Sequence, residues 1–165
     1  MFALKPISRD SVPGALAKAE RYRLLNEPHE AESICRDILE VEPTNQQALI
    51  SLILALTDQI PQDPRCFSSA VSLVPRLATP YDRAYYEGIA WERRAKSRHQ
   101  AGGHGASQYV YDWIIEAMKR FEEAEQLRPL GNDDAVLRWN ACVRFLADGK
   151  LQPQGEEARE PILSE

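Results

Sequence analysis

Closely spaced cysteines, strand-like alternation, an excess of basic residues and long apolar runs are all missing from this 165-residue chain. Cys35, Cys66 and Cys142 stand far apart, which argues against a disulfide framework or a zinc knuckle and leaves them as small buried apolar side chains. No stretch approaches the ~20 apolar residues that a membrane span requires. Met1 to Asp10 carries no apolar core behind a basic start, so no secretory leader is expected and the reading is a cytoplasmic chain without a membrane partner. The net charge of −5 lacks the basic field that phosphate contacts need, so nucleic acid is not an expected partner. Glycine is scarce and no segment alternates apolar with polar residues for the length of a strand, which points away from a sheet. Nor is there a glycine-flanked serine elbow, an HExxH pair or a GK[ST]-closed glycine loop. No catalytic residue, cofactor or metal ligand set is therefore expected.

What remains is helical. Ala, Leu, Glu and Arg are abundant, 44% of residues are hydrophobic, and most of the eleven prolines fall between apolar-periodic stretches as punctuation. One domain with loose ends fits this length. Residues 1–11 read as an arm, with Ser11 as the N-cap of a first helix from Val12 to Leu25 and Pro13 in its first turn. After the break at Asn26-Glu27-Pro28-His29, Ala31, Ile34, Cys35, Ile38 and Leu39 share one helical face, which Pro43-Thr44-Asn45 closes. A second hairpin pairs Gln46 to Asp58 with Arg65 to Ala78, the latter kinked or shortened by Pro75. Thr79-Pro80-Tyr81-Asp82 starts a fifth helix running to about Ser97. Arg98 to Gln108, with three glycines and two histidines, predicts a loop. A long helix from Tyr109 buries Val110, Ile114, Ala117, Phe121 and Ala124, and Asn132-Asp133-Asp134 caps a last helix with Val136, Trp139, Cys142, Val143 and Leu146 inward. Residues 148–165 read as a disordered acidic tail.

Ala31, Cys35, Ile38 and Pro43 recur as Ala117, Phe121, Ala124 and Pro129, with equal offsets of 4, 7 and 12. On these residues the chain resembles the tetratricopeptide repeat family, whose unit is two antiparallel helices of about 34 residues. Ala19, Tyr22, Ala31 and Pro43 match the family's small, aromatic, alanine and proline positions in a first unit, and Gly88 and Trp91 match in a third. Leu49, Leu52 and Leu56 match in a middle unit whose turn is longer and whose proline is displaced. The resemblance implies an all-α fold over residues 12–147: about three hairpins stacked as a short superhelix, with the last helix as a cap. It also implies a protein-interaction adaptor or assembly factor that holds a peptide or protein segment in a concave groove lined by the first helices. Matching positions are Leu16, Glu20 and Arg23; Ile50, Leu54 and Asp58; and Asp82, Tyr85, Ile89 and Glu92. Family members that clamp a C-terminal carboxylate present lysine and asparagine where this chain has Leu16 and Glu20, so a clamp of that kind is not expected.

Two further readings stand beside this one. Arg93, Arg94, Lys96 and Arg98 run into Gly102-Gly103-His104-Gly105 with no acid among them, a pattern that could contact an anion or an acidic partner. A small enzyme or ligand sensor built on that insertion would draw on His99, His104 and Asp112 as well. Otherwise the segment is a solvated loop. The exposed end of the stack could also pair with a second copy as a homodimer. Trp91 fits a core position, Trp113 either packs beneath the insertion, the favoured reading, or anchors a partner, and Trp139 covers the end of the apolar stack.

Overall fold

A computed structural model of the chain describes residues 1–153, and within them every regular element is a helix. They are α1 (Val12–Leu24), α2 (Pro28–Val41), α3 (Gln46–Asp58), α4 (Cys66–Leu73), α5 (Pro80–Ala101), α6 (Ala106–Leu127) and α7 (Asp134–Asp148). None is long and apolar enough to cross a membrane. Each of the pairs α1–α2, α2–α3, α3–α4, α4–α5, α5–α6 and α6–α7 packs together, and α1 touches α3 as α3 touches α5. All-helical packing therefore stands as expected.

Local chemistry explains several element ends. Thr79 accepts a bond from the Asp82 amide at 3.0 Å, capping α5 as the sequence predicts, and Asn45 does the same for α3 through the Ala48 amide at 2.9 Å. Pro75 ends α4 at Leu73, where a 3₁₀ turn over Val74–Arg76 takes over. Ser11 does not cap α1. Its backbone is already helical, at φ −85° and ψ −9°, because a 3₁₀ turn over Arg9–Ser11 precedes it, and its hydroxyl donates to the Ser8 carbonyl instead.

The largest departure lies at 98–108, which is mostly helix rather than loop. Helix α5 continues to Ala101 and α6 begins at Ala106, leaving a turn of Gly102 to Gly105. The three glycines there have φ between 66° and 104°, the left-handed region that a residue without Cβ adopts without penalty. Arg98 ties the end of α5 by donating to the Gly102 carbonyl at 3.1 Å. The tail also starts later than predicted: Leu151 is buried against Phe145 and Gly149, and its amide bonds to the Leu146 carbonyl. The rest of the predicted tail, from residue 154, lies outside the described residues.

Two large apolar clusters form the core. One joins Ala19, Cys35, Leu49, Leu52, Ile53, Leu56 and Phe67; the other joins Ile89, Val110, Ile114, Phe121 and Cys142. Burying each large side chain of this kind contributes roughly 1.5–3 kcal/mol. Gly88 permits the tightest crossing, since a Cβ there would lie 2.7 Å from Cε1 of Phe121.

Candidate functional site

The predicted groove residues separate into an open half and a closed half. Leu16, Glu20 and Arg23 of α1 and Ile50 and Leu54 of α3 line one open groove of about 680 Å³. Leu16, Ile50 and Leu54 are half-buried, so they offer apolar surface while remaining anchored in the fold. Their spacing of four, Leu16 to Glu20 and Ile50 to Leu54, places them on successive turns of single faces. Glu20 is exposed and forms no ion pair among the described residues. Glu42, also lining the groove, accepts a bond from Asn45. Arg9, Val12, Pro13, Ala17, Asn45, Gln47 and Ser51 complete the walls and were missed; Pro13, Ala17, Gln47 and Ser51 lie three residues before predicted neighbours, which is the signal that could have found them.

The α5 half is not a groove. Ile89 is 2% exposed and packs with Phe121 and Cys142, and Glu92 is 1% exposed. Both expectations are corrected: Ile89 is enclosed in one apolar cluster with Phe121 of α6 and Cys142 of α7, and Glu92 is held from its own helix and from α7. Arg138 of α7 reaches Glu92 at 3.4 Å, and Lys96 bonds to the other Glu92 oxygen. Burial opposes the charge on Arg138, but Glu92 and Tyr85 outweigh it and hold its pKa above the ordinary value. Tyr85 is half-buried between Tyr81, stacked at 5.6 Å, and Phe121 at 6.0 Å, while Asp82 stands in the first turn of α5.

Charged residues stitch the helices together at the far end of the groove. Asp58 of α3 accepts a bond from Arg23 of α1 at 2.8 Å and another from Arg93 of α5. Arg93 also donates to Thr57 Oγ1 at 2.6 Å and to the Leu54 carbonyl at 3.2 Å. Burial lowers the pKa of Arg93 although Asp58 pulls the other way. Of the polar residues predicted for the groove, Arg23 and Asp58 thus bond to each other, and Glu92 bonds to Lys96 and Arg138 outside it.

No family model, curated protein or solved structure matches the chain. The site therefore rests on its own geometry.

The basic run does not gather into a loop site. Arg93 serves Asp58, Lys96 serves Glu92, and Arg98 closes α5. Arg94 turns to aromatic rings, at 4.2 Å from the Phe67 centroid and 4.0 Å from that of Trp113, and Lys96 also lies 5.7 Å from the Phe145 centroid. His99 packs edge-on to Phe145, His104 is exposed in the glycine turn, and Asp112 accepts a bond from Gln108, so these three do not converge. Among the described residues no group of three His, Cys, Asp or Glu side chains is placed to hold a metal. Burial pushes the Cys35 thiol up to about 11 and the Cys142 thiol up to about 12, so both are protonated at neutral pH and poor nucleophiles.

Proposed function

We propose that this chain is a non-catalytic interaction module of tetratricopeptide-like build, which holds a peptide or protein segment in the groove between α1 and α3. The observation that carries this reading is the groove itself: half-buried Leu16, Ile50 and Leu54 between two helices, with an unpaired carboxylate at Glu20. Apolar anchors with polar neighbours on a rigid helical surface are what segment recognition uses. The build is supported by buried Ala19, Ala31, Ala117 and Gly88 at the small positions of the resemblance. It is also supported by α1, α3 and α5 lying side by side. In this reading the module is a cytoplasmic adaptor or assembly factor.

The test is selection of peptides from a random display library on the intact chain, followed by affinity measurement on an Ile50→Arg variant and a Lys119→Ala control. Helical content by circular dichroism verifies that both remain folded. Enriched peptides should lose at least tenfold in affinity on the Ile50 variant, as removal of a central apolar anchor does, and keep it on the control. Peptides that bind the Ile50 variant as tightly as the intact chain would place binding elsewhere.

A further inference from the structure

Outside the groove, Arg94 is the half-buried cation whose hydrogen-bonding capacity the fold leaves unused. Its guanidinium carbon lies over Phe67 of α4 at 4.2 Å, over Trp91 of its own helix at 5.4 Å and over Trp113 of α6 at 4.0 Å. Phe67 and Trp91 are themselves locked edge to face at 4.7 Å. Among the described residues Arg94 forms no hydrogen bond and no ion pair. Burial is the one influence on its charge, with no acidic side chain acting on it.

Aromatic faces attract the positive charge through their quadrupoles, but they do not satisfy N–H donors that lie in the guanidinium plane. Arg94 is therefore fixed in position by three rings from three helices while its planar fork keeps its donors. Burial lowers its pKa, the sign of a charge without a counter-ion. A fork of this shape fits a carboxylate in bidentate fashion, and its prior ordering reduces the entropy lost on binding. Beside it Tyr109, 57% exposed, stands 5.9 Å from Trp113 and extends the aromatic surface toward solvent.

We propose that Arg94, Trp113 and Tyr109 form a second binding site, separate from the groove, for a carboxylate carried next to an apolar or aromatic group. Two sources supply that chemistry: the C-terminal carboxylate of a peptide, and an acidic side chain within one.

The test observes the Arg94 Nε–H and Trp113 indole N–H resonances of the full chain by NMR at constant ionic strength. The probes are N-acetyl-phenylalanine, its uncharged amide, and N-acetyl-phenylalanyl-glutamyl diamide with a free side-chain carboxylate. Both acids should give saturable shifts at Arg94 and Trp113, with roughly tenfold weaker binding of the uncharged amide. The tighter of the two acids identifies the source. Arg94→Lys, which keeps the charge but loses the fork, should weaken the acids by roughly tenfold. Tyr109→Ala, at an exposed position outside the core, should weaken them several-fold and keeps the question answerable if the Arg94 variant fails to fold. Equal shifts for acid and amide, shifts that chloride reproduces, or undiminished binding by a folded Arg94→Lys variant would overturn the assignment.

Discussion

The α1–α2 and α5–α6 hairpins keep the same spacing and fill it differently. Ala31, Cys35 and Ile38 of α2 and Ala117, Phe121 and Ala124 of α6 are all fully buried. Where α2 has the small Cys35, α6 has Phe121, and the opposing helix compensates. Ala19 shares the core with Cys35, whereas Gly88 leaves room for a ring that would stand 2.7 Å from a Cβ. Three residues on, the exchange reverses. Ile38 clusters with Val12, Ala15 and Leu16, and Ala124 yields its space to Tyr81 and Tyr85. Spacing decides which positions are buried, and volume is then traded between the two helices to native density.

The strongest way to break this correspondence is at its largest side chain. Phe121→Ala should cost ~3–5 kcal/mol in urea unfolding, whereas Cys35→Ala, at the matching position, should cost about 1 kcal/mol. Gly88→Ala comes next. Alanine is the better helix former by about 1 kcal/mol, yet the clash with Phe121 should make the variant less stable by about 1–3 kcal/mol. Phe121→Leu should rescue part of that loss in the double variant, and additivity of the two changes would disprove the trade. Glu92→Gln should have a smaller effect, about 1–2 kcal/mol by the same measurement. It removes the carboxylate facing Lys96 and Arg138, but both cations retain enough exposure to be solvated.

Periodicity made the helical faces legible. The spacing of Ala31, Cys35 and Ile38, and of Val110, Ile114, Ala117 and Phe121, predicts burial, and all of these are buried. Pro75 and Thr79 mark real ends because proline lacks a donor and a threonine hydroxyl can replace one. The sequence of 98–108 reads as loop because an exposed helix end made of polar residues carries no apolar period, and three glycines outweigh good helix formers on either side. On the site, Leu16, Glu20, Ile50 and Leu54 came from the match to the repeat family's first helices, but the same match on α5 gave Ile89 and Glu92, which are buried. Whether a periodic face stays open depends on a helix that folds onto it from elsewhere in the chain. The pairing of Asp58 with Arg23 and Arg93, 35 residues away in each direction, has no local signature either.

The finest contrast between the two regions is in their thiols, Cys35 within the first hairpin and Cys142 on the helix that covers the third. Burial raises the first from 9.0 to about 11 and the second to about 12. The folded chain therefore holds both protons at a pH where the unfolded chain has released them, so stability falls as pH rises through that interval. Below about pH 7.5, a unit under the pKa of a free thiol, neither should contribute appreciable slope. Above it each should contribute a decline of at most about 1.4 kcal/mol per pH unit, ending near 11 for Cys35 and near 12 for Cys142. Tyr86, raised from 10.0 to about 12, adds to the same decline from about pH 9 upward. Urea unfolding at pH 8, 9.5 and 10.5 on the intact chain and on Cys35→Ala and Cys142→Ala reads this directly. Each variant should flatten the decline between pH 8 and 9.5, where Tyr86 contributes least, and leave the lower limb unchanged. A variant with the slope of the intact chain would mean that its thiol already meets water in the folded state.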